Sequence, residues 1–153
     1  MKNIGRAIAG IACISFPVMF AKPVTGQVTI NADELKAQII ADWQRAKAYT
    51  NEYLNAMPAD KYSFRAHDSV RSFAQQMLHL AQANLFFLGT ATGNSQSFGR
   101  NLEQSRSALS ADSVKYFVNT SYDNVIDGIT RLDAAKLGEK VSMRNMQGSR
   151  LTW

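Results

Sequence analysis

Three stretches of this chain repeat their apolar residues every three or four positions. That period fits an α-helix with one buried face and does not fit a strand. The first stretch runs Leu35, Ile39, Trp43, Ala46, Thr50, Tyr53 and Met57. Asn31 and Glu34 have the spacing of a capping box at its start, and Pro58 stops it, because the residue before a proline avoids helical dihedrals. The second runs Phe73, Met77, Leu80, Asn84 and Phe87, widened by Leu78, Ala81, Leu85 and Leu88. Ser72 and Gln75 form a second capping box, and Gly89 is its expected stop. The third runs Val114, Val118, Tyr122, Val125, Ile129 and Leu132 behind a Ser110 cap. Gly128 inside it weakens the helix by about 1 kcal/mol relative to alanine. Helices are therefore predicted over 32–57, 72–88 and 111–133, with a polar connector over 59–71 and a Gly/Ser/Asn/Thr-rich loop over 90–107.

Three one-faced helices need a fourth neighbour to close a core. Residues 141–153 offer none: Val141, Met143, Met146, Leu151 and Trp153 keep no period, and Gly148 interrupts them. The expected fold class is all-α, an up-down antiparallel helix bundle whose fourth helix is missing or degenerate, followed by an irregular tail over 141–153. Apolar stripes left facing water favour self-association, so the expected partner is a second copy of the chain, as a homodimer. An unidentified small molecule is the other candidate ligand.

Residues 1–26 read as a secretory signal peptide. Lys2 and Arg6 precede an apolar run from Ala7 to Ala21, and Val24-Thr25-Gly26 offers small residues for cleavage. The run is shorter than the ~20 residues needed to span a bilayer, and Pro17 interrupts it, so no stable membrane anchor is expected after cleavage. The expected location is the periplasm or outside the cell. The single cysteine, Cys13, lies within this leader, so the mature chain is expected to have no disulfide, no thiol nucleophile and no cysteine ligand. The leader also holds Lys22 and no acid, so three of the five net positive charges leave with it. No stripe of Lys and Arg remains to favour a nucleic-acid partner.

Residues 38–90 carry a further likeness. Trp43, the stretch Met57-Pro58-Ala59-Asp60-Lys61-Tyr62-Ser63-Phe64-Arg65 and the run from Val70 to Asn84 together resemble the front half of exported DinB-like proteins, a likeness that extends over residues 31–140. The resemblance implies a four-helix bundle holding a divalent metal, of the zinc or nickel type, on three histidines. It implies kinship with metal-dependent hydrolases and thiol-dependent transferases. His79 falls on the helix-two ligand. The other two ligands come, in that family, from a His-x-x-x-His pair on the last helix, and residues four apart on a helix can grip one ion together. This chain has two histidines, His67 and His79, and no such pair. A truncation or frame change near Val141 to Met146 would account for the departure. The chain as written is then expected to be inactive or incomplete as an enzyme, with doubtful metal occupancy. A non-catalytic helical binding or interaction module in the periplasm is the alternative.

Read without the resemblance, the same residues have plainer roles. His79 shares its side of the helix with Gln75, Gln82 and Phe86, beside the apolar stripe rather than at its centre, which marks an edge histidine. His67 sits in a polar connector, where solvated loop residues are the rule. Arg65 and Arg71 could meet an anion but suit helix-end packing better. Asp123 and Asp127, four apart, could supply carboxylates or simply face solvent. No nucleophile elbow and no phosphate-binding glycine loop is present.

Overall fold

The computed structural model describes residues 31–144 and 150–152. The segment 1–26 read as a leader, with Cys13, lies outside them. Three α-helices dominate: α1 (Ala32–Ala56), α2 (Phe73–Thr92) and α3 (Ala111–Arg131). Each starts where the capping residues place it. Asn31 accepts from the Asp33 N–H. Ser72 and Gln75 complete a reciprocal capping box, and Ser110 accepts from the Ser113 N–H. These bonds satisfy N–H groups that a helix start would otherwise leave without partners. Two more first-turn donors of α2 are taken by the connector, since the Phe73 and Ala74 N–H groups donate to Phe64 O and Tyr62 O, each at 2.9 Å.

α2 does not stop at Gly89, as the sequence pattern suggests, but runs on to Thr92. Gly93, in the left-handed region at φ 73°, ends it. Gly89 serves a different need. A Cβ there would stand 2.9 Å from Asn94 O and 3.0 Å from Gln96 N, so glycine lets the departing loop fold back onto the helix. Gly128 of α3 likewise admits Leu88, whose Cδ1 would lie 2.5 Å from an added Cβ. The propensity lost at Gly128 is exchanged for close approach of two helices.

α3 is the central helix, packed against both α1 and α2. Its contacts with α1 descend along one helix as they ascend along the other. Lys47 meets Asp123 at 2.5 Å, and Asn51 exchanges amide hydrogen bonds with Asn119 at 2.8 and 3.0 Å. At the far end Lys36 donates to the carbonyls of Thr130 and Leu132, the place where a cation suits a helix C-terminus. Contacts between α2 and α3 ascend together: Asn84 donates to Ser121 Oγ at 3.1 Å, and Leu88 lies against Gly128. The up-down alternation thus holds for α1 against both partners, while α2 and α3 run parallel. The link from Gly93 to Ser110 makes this possible by travelling the length of the bundle. It carries two 3-10 turns, Leu102–Gln104 and Arg106–Ala108, whose Leu102 and Ala108 are fully buried.

The core joins Leu54, Leu78, Ala81, Leu102, Val114, Val118 and Tyr122. Tyr62 closes the α1 end. Its phenol donates to Leu54 O at 2.7 Å, its ring meets Phe73 edge-on, and burial, aided by the charge of Asp112, pushes its pKa up. After α3 comes a 3-10 helix, Ala134–Gly138, and then two short strands, β1 (Ser142–Arg144) and β2 (Arg150–Thr152). They pair antiparallel with Met143 opposite Leu151. The tail expected to be irregular therefore carries a short hairpin. Its three-residue strands pair through backbone groups, which leaves no apolar period to read.

Candidate functional site on the outer flank of helix α2

Steps of four and three along α2 bring Gln75, His79 and Gln82 onto one flank, as expected from the sequence. The unexpected element is what covers them. The 3-10 turn Leu102–Gln104 docks here, anchored by the buried Leu102 side chain and by two glutamines. Gln82 Oε1 accepts the Leu102 N–H at 2.7 Å, and Gln75 Nε2 donates to Glu103 O at 3.1 Å. Asn101 caps the turn by accepting the Glu103 N–H at 3.0 Å. Gln75 is itself held, because its Oε1 accepts from the Ser72 N–H and from Arg65. Arg65 also donates to Val70 O, so it clamps the connector to the start of α2.

This frame places the Glu103 carboxylate between two cationic or proton-giving groups. Oε1 lies 2.7 Å from His79 Nδ1, and Oε2 lies 2.5 Å from Arg71 Nε. Burial alone would raise the Glu103 pKa; the hydrogen bonds and charges of Arg71 and His79 outweigh it and hold the carboxyl below the ordinary glutamate value. Glu103 is therefore an anion at neutral pH and can only accept hydrogen bonds. The His79 side chain stays 45% exposed, and Nε2 has no hydrogen-bond partner among the described residues.

A family model described as the DinB superfamily matches residues 42–152, well over half of the chain. The chain belongs to the DinB superfamily. The match begins inside α1 and continues through the hairpin, past the 31–140 span over which the sequence likeness is read. No curated protein and no solved structure matches.

The DinB superfamily is generally metal-associated, and the donor set of this chain can be tested against that. Among the described residues no group of three or more His, Cys, Asp and Glu side chains is placed to hold a metal ion. A catalytic zinc site normally uses three protein ligands and an open position. His79 offers one nitrogen, and the one carboxylate beside it is tied to Arg71. The described residues thus present a single donor and do not complete such a site.

The other sequence candidates lie elsewhere. His67 sits in the connector with Nδ1 2.8 Å from Ser69 Oγ, and it accepts the Ser69 N–H at 3.2 Å. Asp123 is paired with Lys47 at the exposed edge of the α1–α3 interface and stands apart from His79. Asp127 lies a turn further along α3, exposed. Glu103 was not among the candidates. It comes from an aperiodic loop, 24 residues from His79, and its only advance signal was the Asn101 cap two residues earlier.

A second concavity lies where α1 and α2 diverge above α3. It holds about 310 Å³ and is lined by Asp42, Trp43, Ala46, Asn84 and Tyr122. Trp43 and Tyr122 meet edge-on at 5.7 Å, and the Tyr122 hydroxyl is bonded to Thr50 at 2.8 Å. No helix among the described residues is long and apolar enough to cross a membrane.

Proposed function

We propose that this chain is an exported DinB-superfamily protein of the metal-dependent hydrolase or thiol-dependent transferase kind, in which His79 is one donor of a divalent-metal site. The observation that supports this reading is the state of His79 on α2: its Nδ1 is engaged by a carboxylate, as the second nitrogen of metal-ligating histidines commonly is, while Nε2 meets no hydrogen-bond partner among the described residues. One histidine is too few for tight binding, so a single chain holds zinc or nickel weakly. It acts as a hydrolase or transferase only where further donors join the site. When bound, such an ion would supply Lewis acidity and an activated water.

Calorimetric titration of the purified mature chain with zinc and with nickel tests this. Weak binding that is lost in His79→Ala is the expected result. Binding unaffected by that substitution would remove His79 from the site. Export is part of the same reading: mass spectrometry of the periplasmic fraction should find an N-terminus near Val24 to Gly26, and an intact Met1 in cytosol would sink it.

A second reading, a non-catalytic binding module, is favoured by the cavity walled by Trp43 and Tyr122. A small apolar ligand there should quench Trp43 fluorescence, and Ala46→Phe, which fills the space, should abolish that response.

A further inference from the structure

We propose that the open groove between α1 and α2 is a dimer interface, closed in solution by the same face of a second copy of this chain. The inference needs neither a metal nor a small ligand and goes beyond both readings above.

Both helices lean on α3 and scarcely touch each other. The consequence falls mostly on α1, which buries only Thr50 and Leu54 along its 25 residues. At about 100° per residue, Leu35, Ile39, Ala46, Tyr49 and Tyr53 collect on its flank turned away from α3. Tyr49 is 56% exposed and Tyr53 is 67% exposed. Across the groove α2 presents Met77, Leu80 and Phe87, and Phe87 is 47% exposed. α2 contains no Asp, Glu, Lys or Arg. A helix with no charge on any flank is suited to being covered all round, yet its groove flank is left partly open.

The chemistry of this face selects its occupant. The one charge lining the central hollow is Asp42, already paired with Arg45. No cation lines it to hold a nucleic acid or an anionic lipid surface. The described end of the chain is committed elsewhere, because Ser142–Arg144 and Arg150–Thr152 pair with each other. What fits is another long, charge-poor helix face, and α1 owns one. A two-fold axis across the groove lays α1 of one copy antiparallel over α1 of the other. The Tyr53 end then meets the Leu35 end, with the small Ala46 near the crossing. α2 sets the length at about 30 Å, and two helix faces side by side are about 20 Å wide. About 600 Å² per copy is covered, roughly 1,200 Å² in all, which is the lower bound of a stable specific interface. Exposed tyrosines suit such a place, since aromatic residues are enriched at interfaces.

Sedimentation velocity of the purified chain from about 1 to 200 µM should show monomer passing to dimer, with a micromolar dissociation constant. Tyr53→Glu and Phe87→Glu change exposed positions, so each monomer should keep its helical circular dichroism. Each should raise the dissociation constant about tenfold or more, because the new charge must be desolvated in the interface. Tyr116→Glu, at a position 65% exposed on α3 away from the groove, should change nothing. If either glutamate disturbs the fold, Tyr53→Ser carries the same readout with a smaller rise. Salt of about 1 M should not weaken the dimer, since screening acts on charge that this face lacks. A chain that stays monomeric at the highest concentration overturns the proposal, as does a dimer indifferent to the groove substitutions in folded variants. Acrylamide quenching of Trp43 in a Trp153→Phe background identifies a rival occupant. A monomer whose Trp43 is shielded has its groove filled by a segment of its own chain, which also overturns the proposal.

Discussion

The two flanks of α2 are held against their neighbours by different forces. Toward α3 the helix presents Leu78, Ala81, Leu85 and Leu88, all buried, to a surface of valines opened by Gly128. Toward the loop it presents Gln75, His79 and Gln82, bonded to a single 3-10 turn and partly wet. Dispersion and dehydration are non-directional, so the first flank tolerates apolar replacements of equal volume but neither cavities nor unpartnered polar groups. Hydrogen bonds are directional, so the second fixes atoms in place and contributes less free energy. A chemically useful side chain benefits from the second kind of surroundings, and His79 has them.

The comparison can be broken by substitution. The largest effect should come from Leu78→Ala, which empties a fully buried position at a cost of about 2–5 kcal/mol. A denaturant melt showing less than a quarter of that would mean the α2–α3 flank is not the main support. Next come the glycines, where close packing and helix propensity make opposite forecasts. Gly89→Ala should destabilise by about 1–3 kcal/mol despite the better propensity, because its Cβ meets backbone atoms of Asn94 and Gln96. Gly128→Ala should cost less, because Leu88 can rotate away. Equal melts for the two variants would refute this account of Gly89. On the polar flank Gln82→Ala should cost about 1 kcal/mol by leaving the Leu102 N–H unpartnered, and hydrogen exchange at Leu102 should quicken.

The smallest effect is a pH dependence. The Glu103 pKa is lowered in the folded chain, so its stabilisation is complete above the ordinary glutamate value of about 4.3. It is lost as pH falls through the lower folded value. Because Arg71 is partly exposed, the contribution should be under about 1 kcal/mol. Comparing acid unfolding of the native chain with Glu103→Gln should show the native chain losing more stability on that limb. Identical acid limbs would mean the Arg71–Glu103–His79 chain is not formed in solution.

The sequence made the helices legible because each has a long stripe and a polar cap, and their starts at Ala32, Phe73 and Ala111 follow from Asn31, Ser72 and Ser110. Gly89 misleads because glycine both ends helices and permits close approach, and only the neighbour that packs on it decides which. Leu102 could not be recognised as core from an aperiodic loop, since its burial depends on where that loop travels. The site was half legible for the same reason: His79 declares its flank through Gln75 and Gln82, whereas Glu103 gains meaning only once the loop lies across α2. The parallel run of α2 and α3 has no local signature at all.

That parallel run governs how quickly the chain can find its fold. The bonds joining α1 to α3 connect residues 68, 72, 76 and 94 positions apart, and the Asn84–Ser121 bond spans 37. Collapse of adjacent helices onto each other as a simple hairpin cannot produce the α2–α3 pairing. The long link must first be drawn back along the bundle, with its loop-closure entropy lost before the contacts return anything. This bundle should therefore refold more slowly than a strictly alternating one of equal length, and shortening the link, rather than strengthening any helix, would change the rate most.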